Sequence, residues 1–411
     1  MEEEYPPPSP GVQPVELRDC IEELLKFTLI SSIQGKIQTG LSNEYCADLL
    51  RDDPSNPLYT VADVSEGVPS YPLYKRLALS LYQSISSGVL CAYKELIPAH
   101  EEPNLRKKVE EWDKMVAEKG SALLSLIREV NFDLHVQEPF FSLLSDGLKT
   151  IEGRCAVGDY KRIQAGHILL VNKCLTLQVQ DVRQYSSFRE MLEVENLSNI
   201  LPGVTSIEEG VRIYRNFYSE EKERSNGVLA IYVRTPTSQL RVIAASILSG
   251  LGCGGVQKLL GFAETVGSNP ELLPPAPSTL LSTFLSPRNP DLSLFDIWLL
   301  MYYVFFWIEV KGSILTNGAR ALAKHVNRSS EGYWGLSHGS DEEKNRHAVE
   351  IICCLLAKCS WMNMHIVRPH GIVFEIRNDG GYGARWSVDG SKFIGFLEPY
   401  AIDGYSKGWR H

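Results

Sequence analysis

The amino-acid sequence predicts an α+β protein of several domains: an N-terminal helical region, a small central β-barrel and a C-terminal α+β domain. Three observations predict this arrangement. The chain has 411 residues, 44% of them hydrophobic and 22% charged, which suits two or three packed domains. The first third has helical periodicity. The middle has short apolar strands between turn residues, and the last hundred residues combine helices with a hairpin signal.

The first third of the chain is predicted to be helical. Residues 1–14 are acidic and proline-rich, so we expect a disordered tail there. Apolar residues at helical spacing then predict a helical domain over residues 15–130. This domain contains no group of residues with an evident chemistry, and its acidic surface favours protein partners as an alternative function for the chain.

The central segment, residues 135–234, changes to short strands separated by turns. The expected strands lie at 149–155, 168–172, 175–182 and 227–234, with helices at 188–196 and 207–224. The first helix begins with the capping box Ser187-x-x-Glu190. Short strands with two helices in about 100 residues suit a small barrel.

The remainder is predicted to be a linker followed by a second α+β domain. Residues 235–293 are rich in proline and glycine and favour a linker, in which Leu240–Leu248 can form a helix. Residues 294–411 favour the domain. Trp361 and Trp386 are expected in the core of this domain. The uncharged stretch Ile297–Ile308 is shorter than the ~20 residues of a membrane span, so we expect a buried helix and no membrane partner.

Charge and cysteine content exclude several classes of protein. Residues 1–137 hold 13 Lys and Arg against 22 Asp and Glu, whereas residues 311–411 hold 13 against 10. The chain is therefore no general polycation, and a phosphate contact is expected in its later parts. The nine cysteines contain no C-x-x-C pair, which favours reduced thiols in the cytoplasm or nucleus. We expect no metal site and no cofactor.

The octapeptide GLKTIEGR at residues 147–154 contains the residues that point to a function. Gly147 can take the left-handed geometry that ends a helix, which places Lys149 at a mouth of the barrel. Strand alternation puts Glu152 and Arg154 on one face and Lys149 on the other, unless the strand start is kinked. Lys149 can meet a phosphate, and Glu152 can accept hydrogen bonds from base amino groups. Arg154 can grip phosphate or simply hold Glu152 in an ion pair that closes the barrel.

The octapeptide resembles the G-x-K-x-x-E-x-R signature of ASCH domains, a family related to the PUA barrels. Segments that are similar to the same family follow in the same order at 158–172, 185–192, 201–204, 208–218 and 227–233. The resemblance covers residues 135–234, and the overall pattern is similar to plant members. It implies a PUA-like barrel that binds RNA or a modified nucleoside.

The resemblance also leaves an enzymatic function open. Some bacterial members resemble amidohydrolases that deacylate N4-acylated cytidine with a Lys base, a Thr nucleophile and a Glu acid. The Lys position falls on Lys149 and the acid near Glu195, but the nucleophile position holds Glu152, which cannot form an alkoxide. Other members are reported as ribonucleases, and a Lys/Glu/Arg cleft can do acid–base work on a 2′-hydroxyl.

Further basic residues are candidates for RNA contact. Lys161 and Arg162 precede the Gly166 turn, where a basic pair either steers RNA or is simply solvated. The C-terminal domain has its own polar and aromatic residues of the kinds that read nucleotides, among them His365, Glu375 and Arg385. The residues expected to contact RNA are therefore Lys149, Glu152, Arg154, Lys161, Arg162 and Arg385.

Overall fold

The computed structural model describes residues 15–53, 67–90, 103–265, 267–286, 315–326, 332–335 and 338–399. The predicted tail and the stretch Ile297–Ile308 lie outside these residues. The chain divides into two compact units. The first unit comprises Met1–Thr39 with Met115–Ser249, and the second comprises Gly40–Lys114 with Gly250–His411. The predicted helical domain of residues 15–130 is thus divided between the units, because its helices pack with two separate sheets.

The first unit contains a five-stranded sheet with helices on one side. Its elements are α1 (Leu17–Ile33), the end of α4 (Pro103–Arg128), β1 (Val130–Leu134), α5 (Phe140–Ser145), β2 (Ile151–Cys155), a 3₁₀ helix (Gly158–Arg162), β3 (Ile168–Val171), β4 (Leu175–Tyr185), α6 (Phe188–Val194), α7 (Leu197–Ile200), α8 (Ile207–Arg215), α9 (Glu220–Asn226), β5 (Val228–Arg234) and the start of α10 (Leu240–Leu260). Of the predicted capping box, the structure shows the cap itself, in which the Ser187 hydroxyl accepts a hydrogen bond from the Glu190 amide. The Glu190 carboxylate accepts from the amide of Ser186 and not from that of Ser187. The single long helix predicted at 207–224 is instead two helices, because Ser219 caps a new helix.

The strand order in this sheet is β1-β3-β4-β5-β2. β1 is parallel to β3 and the other pairs are antiparallel, so β1 and β2 are the two edges. The edges are joined by a side chain: Arg154 on β2 donates from Nη2 to the carbonyl oxygen of His135, one residue beyond β1, at 2.6 Å. The sheet therefore curls upon itself, as the prediction of a small barrel requires.

Helices α6 to α9 cover the outer face of β2 and β5. The buried side chains of this layer are Ile151, Cys155, Phe188, Met191, Leu192, Ile200, Leu201, Tyr214, Val228 and Ala230. Tyr214 stacks on Phe188 with ring centroids 4.0 Å apart. Because residues two apart on a strand share a face, this layer leaves Glu152 and Arg154 on the opposite face of β2.

The second unit contains a four-stranded antiparallel sheet in the order β6-β7-β8-β9. Its elements are α2 (Asn43–Leu50), α3 (Leu73–Ser87), α11 (Pro277–Leu285), α12 (Asn317–His325), α13 (Asp341–Lys358), β6 (Trp361–Val367), β7 (Gly371–Arg377), β8 (Gly383–Ser387) and β9 (Phe393–Leu397). One sheet face is apolar and buried, and its members include Met362, Phe374, Trp386 and Phe396. Trp386 therefore lies in the core as predicted. Trp361 is half-buried on the other, polar face, because residue 361 is one position out of register with the apolar set.

The described part of the segment predicted as a linker is largely helical. It includes all of α10 and all of α11, and the apolar side chains of both helices are buried. Among the described residues, α10 is long and apolar enough to cross a membrane. However, 56% of its apolar stretch is buried inside the protein. That burial is typical of a core helix. Gly252, at φ +57°, interrupts its helical geometry.

Candidate nucleic-acid interface

The turn at Gly147 positions the lysine of the octapeptide. Gly147 has φ +71°, so the predicted left-handed end of a helix is confirmed. The amides of Leu148 and Lys149 both donate to the carbonyl of Leu143, which keeps Lys149 in the helix cap. As a result β2 begins at Ile151 and not at Lys149. The chain is kinked before the strand, and the Lys149 side chain turns inward.

Lys149 is buried, with 3% of its surface exposed. Its Nζ donates to the carbonyl oxygens of Ile151 at 2.8 Å and Ile200 at 2.5 Å, and it lies 3.2 Å from Glu152 Oε2. The sequence predicts this lysine at an open mouth of the barrel, and that expectation is wrong. The kink carries the ammonium to three acceptors inside the protein, which together match its three N–H donors.

Glu152 connects the lysine to the arginine of the octapeptide. Its Oε1 lies 2.8 Å from Arg154 Nε, and its Oε2 faces Lys149. Burial alone would raise the pKa of the Glu152 carboxyl, but the charges of Lys149 and Arg154 outweigh burial and the pKa lies below its usual value. Burial lowers the pKa of Lys149, and Glu152 opposes that shift. Lys149, Glu152 and Arg154 therefore form a buried ion triad.

Arg154 links the triad to the edge of the barrel. Besides its bond to His135, its guanidinium lies 5.8 Å from the centre of the Tyr160 ring. Burial alone would lower the pKa of Arg154, but Glu152 outweighs burial and raises it. Of the two predicted roles of Arg154, the structure shows the ion pair with Glu152, and phosphate contact stays a prediction. The side chain also lies beside the 3₁₀ helix that contains Lys161 and Arg162.

Lys161 and Arg162 are exposed on the 3₁₀ helix. Arg162 Nη1 lies 3.4 Å from Asp159 Oδ1 on the same turn, a surface ion pair that solvent weakens. The turn is tied to β2 through the Tyr160 ring and Arg154. Lys161 and Arg162 are therefore the predicted RNA contacts of the barrel whose charges face solvent, whereas Lys149 and Glu152 are buried.

Glu195 lies in a different cluster from the triad. Its carboxylate accepts hydrogen bonds from Tyr185 at 2.5 Å and from Tyr232, and lies 3.3 Å from Arg183 Nη1. Burial alone would raise the pKa of Glu195, but these tyrosine hydroxyls outweigh it and the pKa lies below its usual value. None of these contacts involves Lys149 or Glu152, and the joint catalytic role of Lys149, Glu152 and Glu195 stays a prediction.

The sequence reasoning missed the partners of Glu195. Arg183 lies 4.6 Å from the centre of the Tyr232 ring, and Tyr185 and Tyr232 are half-buried on neighbouring strands. Outward alternation of Arg183 and Tyr185 along β4 was the available signal. The proximity of Tyr232 on β5 depends on the register between β4 and β5, and the pattern of a single strand does not reveal that register.

Arg385 belongs to the second unit. It is buried, and its Nε and Nη2 donate to Glu375 Oε2 at 2.8 Å and 2.5 Å. The described part of the chain contains no group of three His, Cys, Asp or Glu side chains placed to hold a metal ion.

Comparisons with known proteins connect this geometry to two families. The model of the ASCH domain matches residues 134–237, and the model of the CdiA C-terminal tRNase toxin domain matches residues 309–398. A comparison with curated proteins gave no match. The crystal structure of hypothetical protein PH0355 is 44% identical, covering 25% of this chain and 97% of that chain with a TM-score of 0.25. Protein PF0455 from Pyrococcus furiosus, solved by NMR, is 43% identical over 26% of this chain and 97% of its own, with a TM-score of 0.24.

A small curled sheet with a Lys–Glu–Arg triad behind a glycine-ended helix is the arrangement that the octapeptide predicts. The match at residues 134–237 shows that the chain contains a domain of the ASCH family, and this match overlaps the predicted range of 135–234. An ASCH domain suggests RNA binding. The second family was not predicted from the sequence; the dense polar and aromatic residues of the C-terminal domain were the signal for it.

Proposed function

We propose that this protein binds RNA through its ASCH barrel, with the exposed pair Lys161 and Arg162 as phosphate contacts and the buried triad as the scaffold that orients them. The observation that carries the proposal is the continuous set of contacts from Lys149 through Glu152 and Arg154 to Tyr160. This set ends at the turn that presents the basic pair.

The triad supports binding by fixing geometry. A buried ion network has few alternative arrangements, so the strand and the turn that it joins are held in one conformation. Rigid presentation lowers the entropy lost when RNA orders the contacting side chains. Lys149 thus acts from inside the barrel, and direct contact with RNA is assigned to the exposed charges and to the accessible edge of Arg154.

The charges at the turn suit the phosphate backbone more than a lone nucleoside. A nucleoside lacks phosphate, and two exposed cations contribute little to its affinity. For RNA each neutralised phosphate releases counterions and makes binding salt-dependent. If the ligand is instead a modified nucleoside, the free nucleoside should displace RNA from the protein in a competition experiment.

Deacylation by the barrel is not favoured by these contacts. A Lys base needs a free electron pair, and the three groups around Lys149 Nζ are all hydrogen-bond acceptors. The ammonium form satisfies all of them, which leaves no electron pair for proton abstraction.

Crosslinking of the full chain to RNA, followed by peptide mapping, tests the proposal. Crosslinks are expected on the segment 154–162, and Lys161→Ala with Arg162→Ala should remove them. Crosslinks that survive in this double variant with unchanged yield would place the RNA elsewhere.

RNA cleavage by the second unit is a second candidate function. The observation that favours it is the match of residues 309–398 to a CdiA C-terminal tRNase toxin domain. The barrel would then bind RNA, and the second unit would cut it. To test this candidate, the full chain is incubated with tRNA and the products are separated by size. Shorter fragments of the tRNA would support cleavage.

We also propose a reducing compartment, cytoplasm or nucleus, for the protein. All eight cysteines in the described part of the chain are free thiols. Localisation of a tagged chain tests this, and secretion would contradict it.

A further inference from the structure

The polar face of the second sheet brings together charged side chains from three strands. Strand register sets Asn363, Glu375 and Arg385 side by side on β6, β7 and β8. His365 lies two residues along β6 on the same face, and Arg377 lies two residues along β7. The opposite face is the apolar core. On the polar face Asn363, Glu375 and Arg385 are buried, whereas His365 and Arg377 are partly exposed.

Glu375 is at the centre of this face and is itself buried. Its Oε2 lies 3.2 Å from His365 Nε2 and accepts from Arg385, and its Oε1 accepts from Arg377 Nε at 2.7 Å. Burial alone would raise the pKa of Glu375, but His365, Arg377 and Arg385 outweigh burial and lower it to about 2. The carboxylate is therefore ionised at any physiological pH.

An ionised carboxylate beside an imidazole fixes the tautomer of that imidazole. The proton of neutral His365 resides on Nε2, which donates to Glu375, and Nδ1 keeps a free electron pair. The His365 side chain is 17% exposed, so solvent and substrate reach it. This is the arrangement of a general base with its orienting carboxylate.

The surroundings of His365 suit a nucleic acid. Two arginines against one carboxylate leave a net positive charge on this face. Arg377 is 25% exposed, and its Nη2 has no hydrogen-bond partner among the described residues, so it can donate to a phosphate oxygen. The Trp361 ring lies 5.8 Å from the His365 ring and is half-buried, which leaves an aromatic surface for a base.

We propose that this face is a catalytic site for RNA cleavage, with His365 as general base, Glu375 as its positioning residue and Arg377 as a phosphate contact. The proposal rests on the second candidate function and gives that function a site. His365 Nδ1 takes the proton of a 2′-hydroxyl, the 2′-oxygen forms a bond to the adjacent phosphorus, and the bond from phosphorus to the 5′-oxygen breaks. The 5′-oxygen takes a proton from water, and the hydroxide that remains accepts the proton from His365. The products are a 2′,3′-cyclic phosphate and a 5′-hydroxyl.

The test uses the full chain with bulk tRNA and with the same short RNA in unmodified and fully 2′-O-methylated forms. Cleavage is expected for tRNA or the unmodified RNA and not for the methylated copy. The new 5′ ends should accept phosphate from a kinase directly, and the phosphate at the new 3′ ends should resist phosphatase until acid opens the cyclic phosphate.

His365→Gln is the decisive variant. Its amide keeps a donor for Glu375 but supplies no base, so cleavage should fall about 100-fold or more at an unchanged melting temperature. The matched control is His338→Gln, an exposed histidine of the same unit, which should cleave as the parent does. Arg377→Ala should raise KM more than it lowers kcat.

Binding to the methylated RNA separates this proposal from RNA binding by the barrel. His365→Gln should bind it as tightly as the parent. Three results would each overturn the proposed site, whether or not the barrel binds RNA. The parent protein would leave all unmodified RNA intact, His365→Gln would cleave at the parent rate, or the products would have 5′-phosphates.

Discussion

Arg154 Nη2 donates to the carbonyl oxygen of His135 at 2.6 Å, and this bond joins β2 to the end of β1 across the open side of the ASCH sheet. The same guanidinium lies 2.8 Å from Glu152 and faces the Tyr160 ring. One side chain thus connects barrel closure, the buried triad and the basic turn. The signature arginine therefore has a structural role.

Arg154→Ala should destabilise the first unit by about 3 kcal/mol, because it leaves Glu152 with one buried cation instead of two and removes the bridge to His135. Chemical denaturation of the full chain measures the change. Arg189→Ala, an exposed arginine of the same unit whose partners are exposed, is the control and should stay within about 0.5 kcal/mol of the parent. Equal stability of both variants would show that the bridge to His135 contributes nothing.

Lys149→Met and Glu152→Gln should each destabilise the chain, and the double variant should lose less than the sum. Each single change leaves a buried charge or its partner carbonyls unsatisfied, whereas the double change removes both charges. A denaturation double-mutant cycle should give a coupling of about 1–3 kcal/mol. Strict additivity would mean that the two groups do not stabilise each other.

Gly153→Ala should destabilise the barrel by about 1–3 kcal/mol, because an added methyl group meets packed side chains. An ideal Cβ at Gly153 would lie 2.9 Å from Met191 Cε and would collide with the Tyr214 hydroxyl. Tyr214→Phe in the same chain should restore part of the loss, since it removes the colliding oxygen. If Gly153→Ala unfolds at the parent midpoint, the packing of α8 against β2 differs from that described.

Glu375 should make the stability of the chain fall in acid. Its folded-state pKa of about 2 lies below the ordinary 4.5, so its contribution is fully present above pH 4.5 and is lost as the pH falls toward about 2. The free energy of unfolding should change less steeply with pH across this window in Glu375→Gln. That variant lacks the one proton that the Glu375 carboxyl takes up in acid. Identical slopes in both proteins would mean that the carboxyl is not held by His365, Arg377 and Arg385.

The sequence predicts the barrel and its triad well because both depend on local signals. Gly147 ends a helix for a steric reason that any sequence shows, and the charged residues of the octapeptide follow at fixed spacing. The burial of Lys149 was not predictable in this way. It depends on a kink before β2 and on the Ile200 carbonyl, which comes from a helix 51 residues away in the chain.

The same contrast holds for the second unit. The capping residues and the hairpin of residues 383–397 are local, whereas the His365–Glu375–Arg385 cluster depends on the register of three strands. The segment 235–293 was predicted as a linker from its prolines and glycines. Its two helices are buried by tertiary packing, which overrides the local composition.

The salt dependence of RNA affinity tests the central claim most directly. A matched control replaces Arg18 and Arg128, two exposed arginines of the same unit, by Ala and so removes the same charge as Lys161→Ala with Arg162→Ala. For single-stranded RNA the basic-turn variant should reduce the slope of log affinity against log salt by about 1.4, and the control by nearly zero. Equal slopes for the parent and the basic-turn variant would contradict RNA binding at this face of the barrel.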